Sequence, residues 1–209
     1  MNFKLSIIIP VYNQEELILR ALKSVPTRND IEVIIINDCS TDNTLSVITK
    51  WQQMHNNVII LNNEINHGVG YSVNRGLDIA RGEYIVRLDS DDYFFTNSLM
   101  FALNKARGQD LIYFNLRVNN GMILFVDAKN KENLCGTTKF MKRSFIGDTR
   151  FREIRAEEDW HFFQALLKKN PTEFFTNVLV LHYNWPRVGS LCWLKSNNQL
   201  EGFTSEVVE

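Results

Sequence analysis

Residues 5 to 25 read LSIIIPVYNQEELILRALKSV, and the change of period inside that stretch decides the class of fold. Leu5 to Ile9 is a continuous apolar run of strand length, as expected of a strand buried on both faces; Pro10, with no N–H to donate, is expected to end it. Asn13 and Glu16 have the spacing of a helix cap, after which Leu17, Ala21, Leu22 and Val25 recur at helical intervals. The phrase returns three times: Val33 to Ile36 then Leu45, Ile48 and Trp51; Val58 to Leu61 then Val69, Val73, Leu77 and Ala80; Tyr84 to Leu88 then a helical stretch from Asn97 to Lys105. Buried strands alternating with amphipathic helices imply an α/β fold. Its central sheet is mostly parallel, with helices on both faces and right-handed crossovers.

Past Arg107 the rhythm changes. Asp110 to Val118 and Met122 to Val126 flank Asn119, Asn120 and Gly121, the composition of a hairpin turn, so the second half is expected to make the sheet mixed. A further strand is expected at Val178 to Leu181. The expected organisation is one domain over 1–195, with a Rossmann-like half at 1–107 and a mixed half at 108–195, then a polar tail at 196–209.

The composition narrows the function classes. Lys plus Arg number 23 against 24 Asp plus Glu, a formal charge of -1, so no global basic field draws the chain to nucleic acid or to anionic lipid. Three cysteines, Cys39, Cys135 and Cys192, are an odd number with no CxxC pair. They exclude a disulfide framework and a thiolate zinc site, and a reducing cytoplasm is the expected home. No apolar run reaches the ~18 residues of a membrane helix, so the chain is expected to be soluble, with room for peripheral membrane contact.

In open α/β sheets ligands bind beyond the carboxyl ends of the strands. Here those ends are polar: Tyr12 and Asn13, Asn37 and Asp38, Asn62, Asn63 and Asn66, and the run Asp89, Ser90, Asp91, Asp92. Carboxylates two residues apart repel one another unless a hard divalent cation, Mn²⁺ or Mg²⁺, lies between them; the competing reading makes Asp91 and Asp92 turn or cap residues ahead of the helix at Asn97. Neither GxGxxG nor GxxxxGK[ST] occurs, so backbone amides of those loops do not hold phosphate, and a cation would. Asp159 is a second candidate, a carboxylate that could deprotonate a hydroxyl, or else a helix N-cap ahead of Trp160, Phe163 and Leu167. His182, after a strand, reads either as an added metal ligand or as a strand-end histidine, and Arg187 as a diphosphate contact or a solvated loop arginine.

From Ser6 to about Ser190 the chain resembles the family 2 glycosyltransferases of the GT-A fold. The phrases that carry the resemblance are SIIIPVYN, NDCSTDNT, NHGVGYSVNRGL, GEYIVRLDSDD, AEEDWHFF and YNWPRVGS, in that order. The resemblance implies an inverting, metal-dependent enzyme that moves a sugar from a nucleotide diphosphate sugar, UDP-linked first among donors, to a saccharide or glycoconjugate hydroxyl. It implies that Pro10, Val11, Tyr12 and Asn13 line the base pocket, with Asp38 accepting a hydrogen bond from the base. Asn66, Asn74 and Ser90 become further donor contacts. Asp91 becomes the direct metal ligand and Asp89 lies near ribose or donor sugar with a share in the metal. Asp159 becomes the catalytic base, with Glu158 orienting it or touching the acceptor. Cys39 stands where the family usually has glycine, and Val73 where many members carry arginine, a loss for which Arg187 or His182 could compensate. A catalytically silent nucleotide-sugar-binding subunit is the main rival, and a sugar nucleotidyltransferase the second, although PVYNQEE is not the glycine-rich basic loop the latter would carry.

Overall fold

The apolar runs of the first half become four parallel neighbours: β1 (Leu5–Val11), β2 (Ile31–Asn37), β3 (Val58–Asn62) and β4 (Tyr84–Arg87). They stand side by side in the order β3-β2-β1-β4. The computed structural model describes residues 3–105, 108–132 and 136–187. Period-two alternation sorts the strands' apolar side chains between two cores. Leu5, Ile7, Ile9, Ile31, Val33 and Ile35 pack beneath α1 (Ile18–Lys23), α2 (Thr44–Gln52) and α4 (Thr96–Asn104). Ile8, Ile34 and Ile36 pack on the other face, with Val73 and Leu77 of α3 (Val69–Ile79) and Phe162, Phe163 and Leu166 of α6 (Glu158–Leu167). Both faces are covered, which is why these strands read as unbroken apolar runs.

Two expectations about the first phrase are corrected. β1 does not stop at Pro10 but continues to Val11. The Ile8 carbonyl accepts from Leu88 on the β4 side and the Val11 carbonyl from Asp38 on the β2 side. Pro10 shares the orientation of Ile8, so its missing donor faces the β4 side, where pairing already ends at Ile8↔Arg87. Nor do Asn13 and Glu16 form a cap. The helix begins at Ile18 after Leu17, with no side-chain cap bond, because Asn13 is engaged by a distant loop.

The second half makes the sheet mixed, as expected. β8 (Lys139–Lys142) runs antiparallel to β4, β6 (Leu111–Val118) antiparallel to β8, and β9 (Glu173–Tyr183) parallel to β6. β6 and β7 (Ile123–Leu124) form the hairpin expected around Asn119 to Gly121, with Gly121 at φ +86°. β5 (Tyr93–Phe94), which local pattern does not reveal, pairs antiparallel with β9 directly after the acidic run. A short α5 (Arg143–Ile146) follows β8. Among the described residues one nine-stranded sheet thus spans both halves. No helix among the described residues is long and apolar enough to cross a membrane.

Candidate functional site at the strand ends

Because β1 to β4 are parallel, their polar ends share one edge of the sheet, and side chains lace that edge together. Pro10 and Val11 are buried within β1, whereas Tyr12 is 44% exposed on the rim. Asn13 takes a left-handed φ of +48°. Its backbone N–H donates to Ser40 Oγ at 3.0 Å, its side-chain carbonyl accepts from the Thr41 N–H at 2.8 Å, and its amide donates to Thr41 Oγ1 at 3.2 Å. The β1 loop is thereby fastened to the β2 loop.

Asp38 lies beneath the turn that starts α3. It is 4% exposed and accepts from Asn63 Nδ2 at 2.6 Å, the His67 N–H at 3.0 Å and the Gly68 N–H at 2.7 Å. Three bonds leave an ionised carboxylate with acceptor capacity for a fourth. Asn66 caps the same turn, accepting from the Gly68 N–H at 3.1 Å. Cys39 takes a left-handed conformation, at φ +60°, and its thiol donates to the Glu64 carbonyl at 3.3 Å. A side chain at that φ carries a steric cost of about 1 kcal/mol. Cys39→Gly is therefore expected to raise the unfolding free energy by about 0.5 kcal/mol after the lost thiol contact and the added chain entropy are counted; a loss of stability in thermal unfolding would contradict it.

The acidic tip follows β4 as a tight turn, with the Asp92 N–H donating to the Asp89 carbonyl at 3.0 Å. Asp91 and Asp92 do not cap α4, whose cap position is Phe95. Burial and the neighbouring Asp89 push the Asp91 carboxyl up, while Arg187, at 2.7 Å from Asp91 Oδ2, pulls it back. Asp92 is fully buried. Its Oδ1 accepts from the Asn184 N–H at 2.8 Å, and its Oδ2 has no partner among the described residues. Burial, Asp89 and Asp91 together hold it well above the usual carboxylate range. Ser90 is buried between them.

Arg87, a residue for which the strand pattern assigns no role, joins this tip to the second half. Its guanidinium is 2.6 Å from Asp89 Oδ1 and 3.1 Å from Glu158 Oε1, with side-chain exposures of only 11% for Arg87 and 7% for Glu158. Burial works against its charge, but Asp89, Glu158 and Asp159 outweigh it and keep its pKa above the ordinary arginine value. Glu158 is pushed up by burial and by Asp159, against the pull of Arg87. The helix-cap reading of Asp159 is corrected: Glu157, at a left-handed φ of +65°, holds the cap position, and Asp159 is the second residue of α6. Asp159 lines a small cavity with Arg87, Lys139 and Phe151. A Cβ at Gly136 would come 3.1 Å from Asp159 Oδ2, so glycine there keeps the carboxylate clear.

Two assigned residues lie elsewhere than expected. The Asn74 amide is taken up by the backbone of Phe151, through bonds of 2.9 and 2.8 Å, and clamps α3 to the segment ahead of α6. His182 packs on Tyr93 with ring centroids 4.5 Å apart, and burial, Arg117 and Arg20 all lower its pKa. Cationic neighbours make it a poor metal ligand. Among the described residues no three His, Cys, Asp or Glu side chains form a metal cage. The hard carboxylate oxygens of Asp91 and Asp89 still suit a divalent ion that takes its other ligands from phosphate and water. Val73 is buried in the core. Gly189 and Ser190, Trp193, Cys135, Cys192 and the tail lie outside the described residues.

Comparison with known proteins identifies a family and a fold. Residues 6–169 match the family model described as Glycosyl transferase family 2. The chain is 31% identical over 182 residues to the poly(ribitol-phosphate) beta-glucosyltransferase of Bacillus spizizenii, covering 76% of this chain and 28% of that protein. It is 35% identical over 106 residues to the GalNAc(5)-diNAcBac-PP-undecaprenol beta-1,3-glucosyltransferase of Campylobacter jejuni, covering 49% of this chain and 34% of that protein. Residues 1–349 of S. aureus TarS, solved in complex with UDP-GlcNAc, superpose with a TM-score of 0.78 at 25% identity, covering 90% of this chain and 60% of that one. The chain thus spans about a third or less of the two curated relatives.

Proposed function

The chain belongs to glycosyl transferase family 2, and from that premise we propose that it transfers a sugar from a nucleotide diphosphate sugar, a UDP sugar first, to a hydroxyl of a saccharide or glycoconjugate. The observation that carries the reading is the single guanidinium of Arg87 shared by Asp89 and Glu158. It holds the acidic tip of the donor edge against the helix that bears Asp159, so two separate chemical tasks face one space.

Tyr12 offers an exposed ring at the β1 tip for the base, and Asp38 has acceptor capacity for a base N–H. Asp91 and Asp89 would hold a divalent cation, which supplies the positive charge that stabilises a departing nucleoside diphosphate. Arg187, already on Asp91, is within reach of the same diphosphate. Asp159 removes the proton from the attacking hydroxyl as the glycosidic bond to the leaving group breaks. One base on the acceptor side suffices for direct displacement, so the anomeric configuration inverts. The relatives' names point to acceptors that carry phosphate, a polyol phosphate in one and a diphosphate-linked glycolipid in the other. Reaction in the cytoplasm agrees with the free thiol of Cys39.

The test is a panel of UDP sugars incubated with Mn²⁺ or Mg²⁺ while released UDP is measured. Slow release from one donor, accelerated by an acceptor hydroxyl, is the expected result. UDP binding without release from any donor would identify a silent subunit, and pyrophosphate formed from UTP and a sugar 1-phosphate would identify a nucleotidyltransferase.

A further inference from the structure

Most arginines whose partners are described face a carboxylate: Arg28 with Asp30, Arg81 with Glu32, Arg87 with Asp89, Arg150 with Asp78, and Arg187 with Asp91. Arg75 and Arg143 donate to uncharged oxygens, whereas Arg20 and Arg117 meet aromatic rings. The Arg20 guanidinium carbon lies 5.0 Å from the Tyr93 ring centroid, and that of Arg117 lies 4.7 Å from the Phe95 ring centroid. Tyr93 and Phe95 are edge to face at 5.9 Å, and Tyr93 meets the His182 ring at 4.5 Å. Arg117 and His182 are register partners on β6 and β9, so they project from the same face of the sheet. Five side chains from α1, β5, the cap position of α4, β6 and β9 therefore make one aromatic platform with two cations on it.

This arrangement has unmet charge. Among the described residues, neither guanidinium forms an ion pair with a carboxylate; Arg20 donates to the Asp91 main-chain carbonyl at 2.6 Å, and Arg117 has its aromatic contact. Stacking a guanidinium face on a ring leaves its N–H edge directed outward, in the fork geometry that matches phosphate oxygens. Among the described residues, the buried His182 Nδ1 has no hydrogen-bond partner. Both cations depress protonation of that imidazole, so the cluster repels a further positive charge and would be relieved by a negative one.

We infer that Arg20, Arg117 and His182 form a subsite for a phosphate group carried by the acceptor. The inference rests on the glycosyl-transfer reading and deepens it. The subsite is anchored to the donor edge, since Arg20 holds the turn that carries Asp91. It meets that turn at a main-chain carbonyl, whereas Arg187 meets the Asp91 carboxylate.

The experiment is calorimetric titration of the whole chain with ribitol 5-phosphate, inorganic phosphate and neutral ribitol, and separately with UDP plus Mn²⁺. Wild type is expected to bind ribitol 5-phosphate, not ribitol, and to bind it more tightly than inorganic phosphate. Arg117→Gln should weaken ribitol 5-phosphate about tenfold, the loss of one charge-assisted contact, while Arg117→Lys should retain most of the affinity. UDP affinity should stay within about twofold in Arg117→Gln, because that residue is not on the donor edge. Equal affinity in wild type and Arg117→Gln, or no binding of ribitol 5-phosphate to wild type, would overturn the inference. So would displacement of ribitol 5-phosphate by UDP, which would assign the cations to the donor. Inorganic phosphate binding as tightly as the ester, with the same dependence on Arg117, would make this a free-phosphate site and overturn the acceptor assignment. Loss of UDP binding in wild type, with arginine-dependent ester binding intact, would instead remove the proposed function and leave the anion subsite standing.

Discussion

Arg87→Met is expected to lower the unfolding free energy by about 3 to 5 kcal/mol, because it leaves two carboxylates facing each other without the buried cation that now separates them. The methionine fills much of the volume, so the loss is electrostatic more than steric. Arg87→Lys should fall between, since an ammonium keeps the charge but cannot fork between Asp89 and Glu158 as a guanidinium does. Adding Glu158→Gln to Arg87→Met should recover part of the loss, because an amide is easier to bury unpaired than a charge. Urea unfolding of wild type, Arg87→Met, Glu158→Gln and the double variant reads the coupling directly. A change below about 1 kcal/mol for Arg87→Met would place the pair in the class of ion pairs that contribute little.

The second large effect concerns turnover with stability nearly unchanged. Asp159→Asn keeps the size and polarity of the side chain but removes its capacity to accept a proton, so turnover is expected to fall by about 100- to 10,000-fold. UDP affinity should stay within about threefold, because the proposed role of Asp159 is on the acceptor side. The cap reading makes a different forecast. A lost N-cap costs about 1 kcal/mol of stability and leaves chemistry alone, yet Glu157 holds that position. Initial rates with the donor identified by the panel, together with a thermal melt, separate the two. Full activity in Asp159→Asn would dismiss the residue as base.

How much of this was legible depends on whether the deciding contacts are local. β1 to β4 could be read because strands buried on both faces are short apolar runs with polar ends, and the Asn119 to Gly121 hairpin because its turn chemistry is confined to three residues. β5 could not: two residues become a strand only by pairing with Leu181 and His182 of β9. The cap expected at Asn13 failed for the same reason, since Thr41 claims its side chain and Ser40 its backbone N–H across separations of 28 and 27 residues. Of the site, the acidic run and Asp159 were visible as polar residues after a strand and before an apolar helical face. Arg87 was hidden inside a strand, and its partner Glu158 is 71 positions away. One signal existed: a lone arginine in YIVRLD, at the end of a buried strand, must find a counter-charge. His182 was legible as a polar strand-end residue, but its cationic surroundings come from α1 and β6 and correct its assignment to the metal.

The seat of the cation at the β4 tip is tested most directly by following free Mn²⁺ by electron paramagnetic resonance while the chain is added in the presence of UDP. The wild-type chain should withdraw about one Mn²⁺ per chain from solution when UDP is present and much less when it is absent, since nucleotide phosphates complete the ion's coordination. Asp91→Asn should withdraw none at the same concentrations. Undiminished uptake by Asp91→Asn, or no UDP-dependent uptake by the wild type, would contradict the account.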